Sequence, residues 1–181
     1  LEAKLREAES IRRSLFNTIQ ELKGNIRVFC RLKPTMENSC ISISNADSNS
    51  LEIVQQSENN GRPRVSNFTF DRVFSPQATQ QAIWEEVSQL IQSALDGYRV
   101  CIFAYGQTGS GKTFTMEGNI HDEINCGIIP RSVQKIFQDI RTLSSLGWSY
   151  TMEVSFLEIY NDTIRDLLCT KESSSLRYEI K

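Results

Sequence analysis

The run Gly106-Gln107-Thr108-Gly109-Ser110-Gly111-Lys112-Thr113 constrains this chain more than any other feature. It fits the pattern G-x-x-x-x-G-K-[ST] without exception. Each fixed position meets a demand of gripping phosphate. Glycines let the backbone turn tightly and aim N–H groups at an anion. A helix starting at the end of the loop adds its positive end. Lys112 has the reach and charge for the outer phosphates of a nucleoside triphosphate, and the Thr113 hydroxyl suits Mg²⁺. Such a loop sits between a strand and a helix. Val100-Cys101-Ile102-Phe103-Ala104 is an apolar run suited to a strand buried on both faces of a parallel sheet. Residues 113–117 then continue as helix until Gly118.

At 181 residues and 39% hydrophobic content, the chain has enough material for one domain with a real core. A net charge of −2 argues against general affinity for nucleic acid. The five cysteines (Cys30, Cys40, Cys101, Cys126 and Cys169) show no C-x-x-C spacing, so they read as reduced thiols rather than a zinc site. Cys30 and Cys101 fall in expected core strands. His121, beside Asp122 and Glu123, reads as a solvated loop residue. No signal peptide and no apolar stretch of membrane-spanning length is apparent, which fits a cytosolic or nuclear protein without a membrane partner.

The first 24 residues differ from the rest. Leu1, Ala8, Leu15 and Leu22 recur every seven residues, with Leu5, Arg12 and Ile19 interleaved. This spacing predicts a coiled-coil neck helix that dimerises, with Arg12 in the seam. The alternative is an amphipathic helix packed on the domain, but the stripe is narrow and the opposite face polar. Gly24-Asn25 ends the helix. Residues 25–181 read as one domain. Strands are expected at 26–32, 41–43, 51–54, 68–71, 148–156 and 176–180, with helices over 79–95, from Pro130 onward, and at 162–168. Strands and helices alternate, so the fold class is α/β with a central sheet of the P-loop NTPase type.

Several segments carry a resemblance. Phe103-Ala104-Tyr105 leading into the loop, and Phe114-Thr115-Met116-Glu117-Gly118 leaving it, resemble the kinesin motor domain. So do Arg31-Leu32-Lys33-Pro34, Phe70-Asp71-Arg72-Val73-Phe74 and Phe156-Leu157-Glu158-Ile159-Tyr160-Asn161. The matches run in the family's order from Gly24 onward. A neck helix that enters the first motor strand resembles the kinesin-14 class, whose motor is C-terminal, and fungal karyogamy-type members most of all.

The resemblance implies an ATP-hydrolysing motor that works on microtubules toward the minus end, in the cytoplasm, on the spindle or in the nucleus. It implies ATP or ADP and Mg²⁺ as ligands, with residues 107–113 on the phosphates. Arg31, Lys33 and Pro34 would flank the adenine, with Phe114 on its other side. Lys33 stands where the family usually has arginine, so the flat stacking surface is lost there. Glu158, Tyr160 and Asn161 would bridge a strand and a helix, and residues 119–127 form a polar excursion without chemistry. The family's two switch segments have no counterpart in these residues, so no catalytic residue is expected here and the 181 residues alone are expected to be inactive. The partner implied is a second copy or a non-catalytic, motor-like subunit. The competing class is a non-catalytic coiled-coil subunit acting as an interaction module, against which the intact Lys112 and Thr113 argue.

Overall fold

The computed structural model describes residues 2–34, 40–43, 47, 49–55, 62–145 and 147–169. The chain divides into two compact units, Leu1–Gln138 and Asp139–Lys181. The expected strand at 176–180 lies outside the described residues.

The first unit opens with α1 (Glu2–Leu22). It stops where Gly24 takes φ 102°, a left-handed conformation that costs glycine little. Strand β1 (Phe29–Arg31) pairs in parallel with β5 (Arg72–Phe74). Between them in sequence, β2 (Ile41–Ile43), β3 (Ser50–Gln55) and β4 (Arg64–Thr69) form an antiparallel sheet in the order β2-β3-β4. The long helix α2 (Gln80–Leu95) starts at Thr79, whose hydroxyl accepts from the Ala82 N–H at 3.2 Å. It ends at Asp96 with Gly97 at φ 100°. The short α3 (Lys112–Met116) follows the glycine loop, and α4 (Ile128–Ser145) carries Pro130 in its first turn.

The core of this unit is small and sits under the loop. Phe74, Ile83, Val87 and Ile128 form its buried cluster, with Phe29, Ala78, Ile102 and Met116 packed against it. The Phe29 and Phe74 rings meet edge to face at 6.1 Å between centroids, locking β1 to β5. The Leu32 N–H donates to the Phe74 carbonyl and extends that pair by one rung.

Several expectations need correction. The central sheet is not assembled: the described strands fall into three separate sheets. Among the described residues, 100–104 and 148–155 form no ladder, because a strand exists only where a neighbour supplies partners, while the Phe156 carbonyl accepts from the Leu167 N–H at 2.8 Å and extends the hairpin of residues 157–166. Accordingly Phe103 is 80% exposed and Cys101 exposed rather than core. In the second unit, the expected helix at 162–168 is instead β7 (Thr163–Asp166), paired antiparallel with β6 (Leu157–Tyr160). Asn161 and Asp162 take φ 47° and 58°, the two left-handed positions of a tight hairpin turn, which Asn and Asp tolerate. Glu158 thus faces Arg165 across the ladder, and the expected strand-to-helix bridge by Glu158, Tyr160 and Asn161 is a strand-to-strand turn. Strand β5 carries no alternation signal, since its three residues are too few to show a period.

Helix α1 meets the rest of its unit through polar groups. Arg12 donates to Asp96 Oδ1 at 2.6 Å and to Glu9 Oε1 at 2.8 Å, and Arg13 donates to Glu9 at 3.1 Å. Gln20 and Lys23 both reach Gln89 Oε1. Leu5, Ala8, Leu15, Ile19 and Leu22 of the heptad stripe remain exposed, Leu22 at 83%. Arg12 therefore leaves the stripe and binds α2's C-terminal cap, so α1 does not dock by its apolar face.

Asp96 is 2% exposed in its side chain, so Asp96→Ala removes a buried anionic partner of Arg12 and Arg13, both of which keep Glu9. The expected cost is about 1–2 kcal/mol, moderated by Arg12's exposure, and hydrogen exchange in α1 should accelerate. Unchanged exchange contradicts this docking. The Glu9 carboxyl is pushed from 4.5 down to about 2, chiefly by Arg12's hydrogen bond and then Arg13's, against the opposing effect of burial. A depressed carboxylate stabilises fully above its unfolded value and loses that contribution as pH falls. Helicity of α1 should therefore decline between pH 4.5 and about 2, and Glu9→Gln should remove that step from a circular-dichroism titration.

Candidate functional site

The glycine loop is shaped by three glycines. Gly106, Gly109 and Gly111 take φ 154°, 78° and 96°, conformations that L side chains rarely adopt. A Cβ at Gly106 would meet Ser110 Oγ at 2.6 Å. The Ser110 N–H donates to the Gln107 carbonyl at 3.1 Å, closing the turn. Gly111 is the N-cap of α3 and offers no side-chain cap, so the first N–H groups of that turn stay available. With only five residues, α3 carries little macrodipole; those free N–H groups are its main contribution.

Lys112 folds over the loop. Its ammonium donates to the carbonyls of Gly106 at 2.8 Å and Gln107 at 2.9 Å. This places a positive charge inside the turn. Thr113 is exposed at the loop's end. Among the described residues there is no cluster of three or more His, Cys, Asp or Glu to cage a metal. Mg²⁺ commonly keeps several waters and takes one or two protein oxygens together with substrate phosphates. The single Thr113 hydroxyl fits such an ion in company with a bound triphosphate, and not alone.

The residues expected at the base come together beside the loop. Lys33 Nζ donates to the Gly109 carbonyl at 2.9 Å, tying the end of β1 to the loop. Arg31 Nη1 donates to Thr115 Oγ1 and to Gln80 Oε1, both at 2.9 Å. Its guanidinium carbon lies 5.2 Å from the Phe114 ring centroid, a cation–π contact. Burial lowers the Arg31 pKa, yet guanidinium stays charged in any protein setting. A base held between two surfaces needs two van der Waals gaps of about 3.5 Å each. The Arg31–Phe114 spacing is too small for that, so the two form one platform rather than the two walls of a slot. Pro34 is exposed beside Lys33.

Sequence reasoning missed Gln80. It is 4% exposed and accepts from Arg31. Its Nε2 donates to the carbonyls of Phe114 at 2.5 Å and Asn125 at 3.3 Å. The signal was present: Gln80 stands at helical spacing with Ile83, Val87 and Ile91, a polar residue on a buried apolar stripe. Also unforeseen is the order within residues 119–127. Arg131 donates to the carbonyls of Cys126, Glu123 and Ile124 and to Gln81 Oε1. Gly118 and Cys126 form an antiparallel bridge.

With this geometry the chain is a phosphate-loop protein of mixed α/β build. A family model described as microtubule binding matches residues 5–168. The chain is 47% identical over 196 residues to Kinesin-related protein 2 of Dictyostelium discoideum, covering 98% of this chain and 25% of that protein. It is 48% identical over 194 residues to Kinesin-like protein KIN-14N of Oryza sativa subsp. japonica, covering 99% of this chain and 24% of that one. Among solved structures, the C-terminal motor and motor homology domain of Kar3Vik1, fused to a synthetic heterodimeric coiled coil, matches with TM-score 0.84 and 43% identity. That match covers 100% of this chain and 48% of the other. The chain belongs to the kinesin motor family, in its kinesin-14 class of C-terminal motors, and corresponds to part of such a motor domain. In sequence and structure it is close to Kar3-like kinesins, and it spans about a quarter of the length of these curated relatives.

The packing below the loop makes a direct prediction. A Cβ at Gly127 would lie 2.6 Å from backbone atoms of Met116 and Glu117. Gly127→Ala should cost about 1–3 kcal/mol, read as a lowered thermal midpoint. An unchanged midpoint would contradict this close approach of backbones.

Proposed function

We propose that this chain supplies the nucleotide-binding part of a kinesin-14 motor that couples ATP hydrolysis to minus-end-directed movement along microtubules. The observation that carries this reading is the loop of residues 106–113. Its glycines hold positive φ, its helix start is uncapped, and its lysine is drawn over the turn. The N–H groups of residues 107–113 bind the phosphates of ATP or ADP. Lys112 exchanges its loop carbonyls for phosphate oxygens. When bound, Mg²⁺ neutralises phosphate charge, and Thr113 would hold it there. The base lies on the exposed face of the Arg31–Phe114 platform, beside Lys33 and Pro34. None of these residues is assigned to hydrolysis itself; their work is binding and orientation.

We further propose that α1 is a dimerising neck. Support comes from an apolar stripe left exposed while the helix docks through Arg12, Gln20 and Lys23. The partner is a second copy or a non-catalytic motor-like subunit, and the setting is the microtubule cytoskeleton of the spindle or nucleus.

Lys112→Ala removes the charged donor from the phosphate site. Affinity for a fluorescent ATP analogue should fall on the order of a hundredfold, as expected for lost charge-assisted hydrogen bonds. Equal affinity in wild type and variant would contradict nucleotide binding at this loop and favour a purely interacting subunit.

A further inference from the structure

The hydrogen bonds of Gln80 all converge on the base side of the site. Arg31 has only donors, and the carbonyls of Phe114 and Asn125 have only acceptors. A primary amide satisfies both kinds at once, which also fixes its own orientation: Oε1 toward Arg31, Nε2 toward the two carbonyls. An acid lacks the donor and a hydrocarbon lacks both. At 4% exposure Gln80 has little access to water for substitute partners. Its location, in the first turn of α2 and three residues before core Ile83, ties the arrangement to the rigid core.

We infer that Gln80 is a positioning residue for base recognition: it holds the Arg31 guanidinium against the Phe114 ring and fastens that platform to α3 and to residues 119–127. The inference rests on the nucleotide-binding reading proposed above. Gln80 touches no phosphate-loop residue in these bonds, so its effect falls on the base and not on the phosphates. Among the described residues, Arg31 without its Gln80 acceptor keeps Thr115 and the ring, and the guanidinium then swings off the platform.

Binding of ADP and of inorganic tripolyphosphate to the full-length chain separates the two parts of the site. Gln80→Leu, similar in size, should weaken ADP about tenfold while changing tripolyphosphate less than about twofold. Gln80→Glu keeps the acceptor for Arg31, so it should hold the ADP-to-tripolyphosphate ratio within about threefold of wild type. Equal weakening of both ligands by Gln80→Leu, or no weakening of ADP, overturns the inference. So does a Gln80→Glu protein whose ratio collapses, and this variant decides the matter alone if Gln80→Leu does not fold. A wild type that binds neither ligand overturns the nucleotide reading itself, and the inference with it.

Discussion

Both ends of the glycine loop are anchored in the same small core, and the site depends on that constraint. Ile102 enters it four residues before Gly106, and Met116 enters it four residues after Lys112. Between these anchors the backbone turns through three left-handed glycines that would be strained in any other residue. The cluster of Phe74, Ile83, Val87 and Ile128 therefore does more than exclude water. It fixes the separation of the two ends, which holds the intervening N–H groups in one geometry before a ligand arrives. Preorganisation of this kind spares the ordering cost at binding. The same cluster draws in Phe29 and the first turn of α2, so β1 and Gln80 reach the loop from fixed positions.

Helix α1 obeys a different logic. Its contacts with α2 and its cap are an ion pair and side-chain hydrogen bonds, and exposed pairs of this kind are individually weak. The buried carboxylate of Asp96 is the exception, since a side chain 2% exposed gains little from water. Docking thus concentrates at one end of α2, at the cap that Gly97 completes. The apolar stripe of α1 stays open to solvent.

The loop and the helices were legible in the sequence because their signals are local. A phosphate loop is read from glycine, lysine and threonine at fixed spacing. Helix α2 announces itself by Thr79, a 3.6-residue apolar stripe and Gly97. The β6–β7 hairpin was not legible: 162–168 reads as a helix, and only the pairing with Leu157–Tyr160 and the left-handed Asn161 and Asp162 reveal a turn between strands. Pairing is not local. The apolar run at 100–104 tells of a burial preference but names no neighbour, and Ile102 meets it through the core without a ladder. Gln80 was hidden for a related reason: its meaning lies in Arg31 and Asn125, 49 and 45 residues away in the chain.

In the function we propose, one nucleotide lies across two regions distant in sequence, with phosphates on residues 106–113 and base beside Arg31. Backbone amide shifts on titration with Mg-ADP test it most directly. Large changes are expected in residues 106–113, together with changes at residues 31–33 and at Phe114 and Thr115, all saturating at one affinity. Changes confined to another surface, or a loop that responds while residues 31–33 and Phe114 do not, would contradict it.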